Sequence, residues 1–280
     1  MQEAISLQKK TGSNRKRRNQ LNDLCGKDWI KFTKTWFVLR SSARDSKIRH
    51  PASFPEKLAE AFIAFFTKSG EWVLDPFFGT GSSLVAAKIL GRSGIGVELY
   101  PKYVEIARNR LRKIPDNGSE IVVLEGDSRS LDEIFEEEGL SNADFCITSP
   151  PYWNQLNRNH KRQRQRARLG LDTDYGSMPG DLGAIDDYNS FLEQQKLVFD
   201  AVFRVMKKWG YLVVVTNNVY FDSRIWPLAF DTFRSLSEKW VPKDERIWCQ
   251  DDKALFPFGI FDTYIGNRAH HYCLIFRKET

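Results

Sequence analysis

The most informative stretch of this chain is Asp75-Pro76-Phe77-Phe78-Gly79-Thr80-Gly81. It follows the apolar run Trp72-Val73-Leu74 and precedes residues 82–90, in which apolar side chains recur at helical spacing. The pattern predicts a strand, a glycine-rich turn and a helix. In α/β folds, a turn of this kind at the carboxyl end of a strand commonly lies against a nucleotide or a related ligand.

The next predicted strand ends in an acid. Gly94-Ile95-Gly96-Val97-Glu98 places a carboxylate 23 residues after Asp75, near the spacing at which an acidic residue meets ribose hydroxyls. We therefore predict that Glu98 binds a ribose. A further strand, Ile121-Val122-Val123-Leu124, leads into Gly126-Asp127, and the Asp127 carboxylate is the predicted acceptor for an adenine amino group.

A dinucleotide oxidoreductase is one alternative interpretation of the glycine turn. Gly79 and Gly81 begin a G-x-G-x-x-G match, but Leu84 occupies the third glycine position. A tight turn without a ligand is another, because short glycine motifs recur by chance. A second motif, Thr148-Ser149-Pro150-Pro151-Tyr152-Trp153, argues against both. It also ends a predicted strand, so we expect the two motifs to face one crevice at the carboxyl edge of a sheet.

Three segments, in this order, resemble the DNA amino-methyltransferases, the family that makes N4-methylcytosine or N6-methyladenine. They are His50-Pro51-Ala52-Ser53-Phe54-Pro55, residues 75–81, which are similar to the family's Phe-x-Gly-x-Gly motif, and residues 148–152, which match its Ser-Pro-Pro-Tyr catalytic motif. Two features depart from the family pattern. The glycine motif comes first, whereas members with Ser-Pro-Pro-Tyr often have the reverse order, and no long target-recognition domain follows the core.

The resemblance implies S-adenosylmethionine as the cofactor and assigns roles to residues of each motif. The predicted cofactor-binding residues are Pro51, Phe54, Asp75, Phe77, Gly79, Thr80, Gly81, Glu98, Asp127 and Thr148. The predicted catalytic residues are Ser149, Pro150, Pro151 and Tyr152.

The chemistry of these four residues suits an exocyclic amino group, whose lone pair is delocalised into the base. A Ser149 oxygen and the Pro150 carbonyl are predicted to accept the two amino hydrogens, which localises the lone pair for attack on a methyl group. The prolines fix the backbone and remove competing donors. The target base must leave the stacked duplex, and Tyr152 is the predicted aromatic support, extended by Trp153.

The resemblance favours cytosine, because members that act on adenine usually have Asp or Asn at the position of Ser149. The expected activity is therefore site-specific methylation of the N4 amino group of cytosine in duplex DNA. N6-methylation of adenine, methylation of RNA and a non-catalytic nucleic-acid-binding relative stay open as alternatives. Carbon-5 methylation is disfavoured, since Tyr152 occupies the place where that family has the cysteine of a Pro-Cys motif.

The remaining pattern predicts the fold. Strands and helices alternate up to residue 148, which implies a parallel sheet, and the predicted strands at 246–249 and 272–276 resemble the antiparallel pair that ends methyltransferase sheets. The predicted class is α/β: a Rossmann-like class I methyltransferase with a mostly parallel seven-stranded sheet, a C-terminal antiparallel strand pair and helices on both faces. Aromatic residues at near-helical spacing in 21–40 predict a cover over the core, and a helix is predicted around 225–236.

Two acid-free runs hold the excess positive charge. Residues 9–18 and 158–168 each carry six cations, which together exceed the net charge of +6. Such runs attract a phosphate backbone, although solvated charge is the alternative. We predict a flexible basic arm over 1–20, a single catalytic domain over 21–280, and candidate DNA-recognition insertions at 154–186 and 217–267. The predicted DNA-binding residues are Trp153, Arg158, Lys161, Arg162, Arg164, Arg166 and Arg168.

Composition limits the remaining classes. A chain of 280 residues with 41% apolar content can bury one substantial core. No apolar run is long enough to cross a membrane and the N-terminus does not resemble a secretory signal, so we expect a cytoplasmic protein with reduced cysteines. No metal is predicted, because His270 and His271 point to opposite faces of a strand. The predicted partners are double-stranded DNA and a cognate restriction endonuclease, without a membrane; the sequence does not indicate an oligomeric state.

Overall fold

The computed structural model describes residues 19–40, 54–153 and 178–280. Its helices are α1 (Gly26–Phe32), α2 (Glu56–Phe66), α3 (Ser82–Ile89), α4 (Pro101–Leu111), α5 (Leu131–Glu137), α6 (Tyr188–Val205) and α7 (Leu228–Leu236). Its strands are β1 (Trp36–Val38), β2 (Trp72–Asp75), β3 (Ser93–Glu98), β4 (Ile121–Glu125), β5 (Ala143–Thr148), β6 (Met206–Thr216), β7 (Val219–Phe221), β8 (Arg224–Trp226), β9 (Val241–Cys249) and β10 (His270–Arg277).

One large sheet organises the described part of the chain. Its eight strands lie in the order β1-β9-β10-β6-β5-β2-β3-β4, and β7 and β8 form a separate hairpin. Strands β4, β3, β2, β5 and β6 are parallel, while β10 pairs antiparallel with both β6 and β9. The predicted fold class is therefore confirmed: a mostly parallel sheet with an antiparallel pair near the C-terminus.

The strand count differs from the prediction of seven. The additional strand is β1, which pairs in parallel with β9 at the sheet edge. The aromatic residues of 21–40 predicted a cover over the core, and Trp29, Phe32 and Phe37 do pack against a buried cluster. Within this segment only α1 is helical, because the β-forming triplet Trp36-Phe37-Val38 extends along the sheet instead. Likewise, the helix predicted around 225–236 begins only at Leu228, after the short strand β8 and Pro227.

Helices cover both faces of the sheet because side chains alternate along its strands. On β5, Phe145 and Ile147 pack in one buried cluster with α2 and α3, whereas Cys146 packs in another with α5, α6 and α7. Ring stacking extends the first cluster outward, since Phe32 of α1 lies 3.9 Å from Phe65 between ring centroids. This burial makes the sheet a rigid base for the loops at its edges.

Two glycines allow the first turn to lie close to its neighbours. Gly81 has φ +83°, and a Cβ at this position would lie 2.9 Å from Cβ of Ala107 in α4. A Cβ at Gly96 on β3 would come within 2.6 Å of the Phe78 ring. Larger residues would push the turn away from β3 and α4, so these glycines fix the position of residues 76–81 against the sheet.

The carboxyl ends of β2, β3, β4, β5 and β6 share one edge of the sheet, as expected for parallel strands. The reversed strand β10 begins at this edge, because Tyr272 pairs with Thr216 at the end of β6. The β9–β10 connection, residues 250–269, therefore lies at the same edge as both motifs. Among the described residues, no helix is long and apolar enough to cross a bilayer.

Candidate active site

A cavity that is open to solvent lies at the carboxyl edge of the sheet. Residues from the ends of β2, β3, β4 and β5 line it together with one later segment. The lining residues are Pro76, Phe77, Glu98, Leu99, Tyr100, Gly126, Asp127, Ser128, Ser149, Pro151, Gly180, Asp181 and Leu182. The two motifs thus face one crevice, as their positions after β2 and β5 predict.

Glu98 ends β3 and binds the backbone of two neighbouring turns. Its Oε2 accepts from the N–H of Gly79 at 2.9 Å, and its Oε1 accepts from the N–H of Tyr100 at 3.0 Å. Burial raises the pKa of this carboxyl to about 7 despite these hydrogen bonds. Each carboxylate oxygen has a further lone pair, so Glu98 can hold the glycine turn and still accept hydroxyl hydrogens from a ligand in the cavity.

Asp75 and Thr148 bind each other behind the cavity. Asp75 Oδ1 accepts from Thr148 Oγ1 at 2.6 Å and from the Phe77 N–H at 3.0 Å, while Oδ2 accepts from Ser83 Oγ. Both Asp75 and Thr148 are fully buried, and burial raises the pKa of Asp75 to about 6. These predicted cofactor ligands lie outside the cavity lining, where they join the end of β2 to the end of β5.

The other residues of the glycine turn also have structural partners. The Thr80 hydroxyl and carbonyl oxygens accept from Arg110 of α4, which pairs in turn with Glu56 of α2. Phe54 is buried in the core beneath α2. Of the ten predicted cofactor-binding residues, Phe77, Glu98 and Asp127 line the cavity, and Pro51 lies outside the described residues.

Asp127 is held as an ionised acceptor at the end of β4. Burial opposes ionisation, but hydrogen bonds from the backbone and guanidinium of Arg129 keep the pKa of Asp127 below its ordinary value. Arg129 is itself fixed by Gln194 of α6. A carboxylate with this much support presents its remaining lone pairs in a fixed direction.

The sequence did not indicate the wall opposite Glu98. Tyr100 Oη donates to Asp181 Oδ2 at 2.8 Å, and Asp181 Oδ1 accepts from the N–H of Gly183 at 2.8 Å. Gly180 has φ +92°, and a Cβ there would lie 2.8 Å from an Asp127 oxygen. The Gly180-Asp181 pair is a local turn signal, yet nothing in the sequence links it to the end of β3.

The Ser-Pro-Pro-Tyr turn lies beside these acids. Ser149 and Pro151 line the cavity, Pro150 is buried, and Tyr152 is half-buried behind them. Ser149 Oγ lies 3.2 Å from Tyr152 Oη, and Tyr152 Oη lies 3.2 Å from Nδ1 of His271 on β10. Burial raises the pKa of Tyr152 well above its ordinary value. The turn therefore presents a hydroxyl and a neutral phenol next to the cavity.

Trp153 does not fit its predicted role as an extension of a base platform. It is 4% exposed, with φ +45°, and its ring lies 4.7 Å from Trp226 and 5.0 Å from Tyr188 between centroids. Its Nε1–H donates to the carbonyl of Asp186 at 3.1 Å. Among the described residues, the Trp153 side chain is thus packed in the core, which argues against its predicted role. The predicted DNA-binding cations, Arg158 to Arg168, lie outside the described residues.

Comparisons with known proteins find similar sequences and similar folds. Residues 1–109 match the DNA methylase family of N6 and N4 methyltransferases, a region that includes the glycine turn and Glu98. The chain is 41% identical over 85 residues to the type II methyltransferase M.HinfI of Haemophilus influenzae, which covers 30% of this chain and 24% of that protein. It is 48% identical over 63 residues to the type II methyltransferase M2.DpnII of Streptococcus pneumoniae, covering 22% and 24%.

The first 109 residues of the chain are thus similar to the DNA methylase family of N6 and N4 methyltransferases. The matches span about a quarter of the length of these relatives. Among solved structures, TrmN from Thermus thermophilus aligns with a TM-score of 0.52 at 14% identity over 81% of this chain and 50% of that one, which supports the Rossmann-like methyltransferase fold.

S-adenosylmethionine is the cofactor that the matching family implies. The cavity fits such a molecule, because it combines carboxylate acceptors at Glu98 and Asp127 with apolar surface from Phe77 and Leu99. The two carboxylates can accept hydrogen bonds from the hydroxyl and amino groups of a nucleoside, and a flat base can pack against the apolar side chains. No group of three or more potential metal ligands occurs within the described ranges.

Proposed function

We propose that the protein is a site-specific DNA methyltransferase that transfers the methyl group of S-adenosylmethionine to the N4 amino group of cytosine in duplex DNA. One observation carries the proposal: Ser149 and Pro151 line the same cavity as Glu98 and Asp127. A cofactor held by the two acids would lie directly beside the Ser-Pro-Pro-Tyr turn. The family matches supply the class of reaction.

The acids and the glycine turn contact different parts of the cofactor. Glu98 accepts ribose hydroxyls, and Asp127 accepts the adenine amino group, while Phe77 covers the ring. Asp75 and Thr148 act indirectly, because their mutual hydrogen bond keeps the two turns at a fixed separation. When bound, the cofactor supplies a methyl group on a positively charged sulfur.

The Ser-Pro-Pro-Tyr turn prepares the amino group. Ser149 Oγ and the Pro150 carbonyl accept its two hydrogens, so that the nitrogen becomes pyramidal and its lone pair faces the methyl group. Neither Pro150 nor Pro151 has an N–H that would compete for these acceptors. Tyr152 supports the base after it has left the duplex. The serine, where adenine-specific members usually have Asp or Asn, favours cytosine.

Candidate DNA contacts outside this turn are the basic loop within 154–186, the basic arm at 1–20 and residues 217–267. Concentrated positive charge supports the first two segments, since each neutralised phosphate releases counterions.

A cognate restriction endonuclease belongs to the same proposal, because relatives of the chain are named type II methyltransferases. Cleavage by a host extract of the unmethylated form of this protein's own target site would support that partner.

One experiment tests the activity. The purified protein is incubated with methyl-labelled S-adenosylmethionine and unmodified duplex DNA of mixed sequence, and the labelled nucleoside is identified by mass spectrometry. Label in N4-methylcytosine is the expected result. Label in N6-methyladenine would overturn the choice of base, and label only in a parallel RNA sample would overturn the DNA assignment. Binding of cofactor and DNA without transfer to any substrate would indicate a non-catalytic relative.

A further inference from the structure

His271 lies at the start of β10, far from both motifs in sequence, yet it contacts the catalytic turn. Its Nδ1 lies 3.2 Å from Tyr152 Oη. Its ring stacks on Trp248 of β9, with centroids 4.8 Å apart and planes 24° from parallel. Trp248 is buried and donates from Nε1 to the Leu39 carbonyl at 2.9 Å. The imidazole is therefore held in one orientation by a fixed ring.

The hydrogen bonds among Ser149, Tyr152 and His271 all have the same direction from donor to acceptor. Ser149 Oγ donates to Tyr152 Oη at 3.2 Å, which leaves the serine lone pairs for another donor. Tyr152 keeps its own proton, since burial disfavours the phenolate. That O–H has His271 Nδ1 as its acceptor when the neutral imidazole carries its hydrogen on Nε2. The hydrogen bonds thus run from Ser149 through Tyr152 to His271.

We propose that Ser149, Tyr152 and His271 form a hydrogen-bonded chain that orients the serine lone pairs toward the target amino group and carries away the proton that methylation releases. The inference rests on the proposed function of the Ser-Pro-Pro-Tyr turn. It assigns a role to His271, which the sequence analysis considered only as a metal ligand and rejected. Ser149 and Tyr152 touch the base, and His271 acts through them as a positioning residue.

The proton balance follows from the reaction. The amino nitrogen forms a bond to the methyl carbon, the carbon–sulfur bond breaks, and its electron pair stays on sulfur. The nitrogen is left with a positive charge and one surplus proton. That proton passes to Ser149 Oγ as the serine hydroxyl proton passes to Tyr152 Oη and the phenol proton passes to His271 Nδ1. The products are a neutral methylated amine and an imidazolium, which loses its proton to water.

Neighbouring groups are poorer acceptors for this proton. Burial raises the pKa of the nearby Cys273 thiol to about 12, so it stays protonated. Asp75 accepts from three protein donors on the far side of the turn. An imidazole has an ordinary pKa near 6.5, which lets it take up a proton and release it again at neutral pH.

Single-turnover kinetics test the chain. His271→Leu and Tyr152→Phe are each expected to slow methyl transfer about hundredfold with unchanged affinity for cofactor and DNA, and the double variant is expected to be no slower than either. His271→Gln keeps an acceptor without a base and is expected to stay slow. Wild-type rates in His271→Leu would overturn the proposal, and full activity in His271→Gln would overturn its proton-accepting part. The matched control is His270→Leu, whose side chain faces away and packs on Tyr272.

A second measurement does not depend on the substrate. In protein labelled with ¹⁵N-histidine, the neutral His271 ring is expected to show hydrogen on Nε2 and an unprotonated Nδ1, and Tyr152→Phe is expected to shift the Nδ1 signal of that histidine alone. The signal is assigned by its loss in His271→Leu. Hydrogen on Nδ1 would overturn the chain. If the wild-type protein transfers no methyl group to DNA, the proposed function fails, whereas the spectrum still reports on the chain.

Discussion

The two halves of the sheet's carboxyl edge are built differently. On the side of β2, β3 and β4, the carboxylates of Asp75, Glu98 and Asp127 all accept hydrogen bonds from protein donors. On the side of β9 and β10, the 250–269 connection exposes large apolar side chains: Leu255 at 75%, Ile260 at 67%, and Phe261 and Tyr264 at 92% each. Two hydrogen bonds between the Phe256 backbone and the Asn267 side chain cross this connection, and the Gln250 N–H donates to the Ala269 carbonyl at its base.

The acids at the ends of β2, β3 and β4 form a preorganised polar site, whereas the 250–269 connection leaves apolar side chains exposed. Polar groups that are fixed before a ligand arrives lose little further freedom on binding, which favours affinity for a small cofactor. A contiguous exposed apolar surface indicates a site that a larger partner covers. Under the proposed function, the three acids are already fixed in the free protein, and the 250–269 connection is the place where a DNA substrate would cover most exposed apolar surface.

The strongest test removes the hydroxyl of Ser149. Ser149→Ala is expected to lower the rate of methyl transfer by about 10²–10³, because it deletes an acceptor for the reacting amino group. Cofactor affinity, measured by calorimetry, is expected to stay within about twofold, since Glu98 and Asp127 are untouched. Wild-type turnover, or a parallel loss of cofactor affinity, would contradict this separation of roles.

A second test uses pH on the cofactor side. Burial raises the pKa of Glu98 from 4.5 to about 7, so the folded protein binds this proton more tightly than the unfolded chain does. The free energy of unfolding is therefore expected to fall as pH rises from about 4.5 to 7, by about 3 kcal/mol from this group. Denaturant titrations without cofactor measure it. Burial also raises the pKa of Asp75 to about 6, so Asp75 contributes a decline of its own over the lower part of this range. Glu98→Gln should therefore make the decline shallower by the share of Glu98, and an equally steep decline in that variant would refute the assignment.

A third test concerns the ribose acceptor. Glu98→Ala is expected to weaken S-adenosylmethionine binding about tenfold to a hundredfold, because hydrogen bonds to a charged group contribute about 1.5–3 kcal/mol. DNA affinity should change little. Glu125→Ala is the matched control, since Glu125 lies opposite Glu98 in the register of β3 and β4 but is exposed and outside the cavity lining. Equal losses in both variants would point to a general charge effect.

The smallest expected effect lies on the exposed side. Phe261→Ser and Tyr264→Ser are each expected to weaken DNA binding about fivefold and leave cofactor affinity unchanged, because base–aromatic stacking contributes about 1–3 kcal/mol per base. Ile89→Ser is the control, an exposed apolar residue at the far end of α3. Fluorescence anisotropy with labelled duplexes measures the affinity. Unchanged DNA binding in both aromatic variants would remove this connection from the interface.

The sequence predicted those parts of the site that are local along the chain. Glu98 could be found because a strand, its terminal acid and the preceding glycine turn lie within one repeating unit of the fold. The Tyr100–Asp181 and Tyr152–His271 contacts join residues 81 and 119 positions apart, and no periodicity reports such distances. Asp75 was predicted as a cofactor ligand from the motif, but the structure buries it against Thr148, outside the cavity lining.

Two differences between the sequence pattern and the structure have a common cause. Trp153 and the 36–38 segment are rich in large aromatic side chains, which suit a ligand platform, a helical cover or a core equally well by composition. Packing decided both: Trp226 and Tyr188 enclose Trp153, and β9 pairs with Trp36-Phe37-Val38. Which of these aromatic side chains becomes buried depends on contacts between distant parts of the chain, and a local sequence pattern carries no information about those contacts.

The hydrogen bond between Thr148 and Asp75 has a consequence for the evolution of such proteins. It joins the two turns through side chains of adjacent strands, although 73 positions of chain separate them. The relation between the turns is therefore independent of the route by which the polypeptide connects them. A gene could be cut and rejoined so that the Ser-Pro-Pro-Tyr segment is translated before the glycine segment, and the same two strands would still meet side by side.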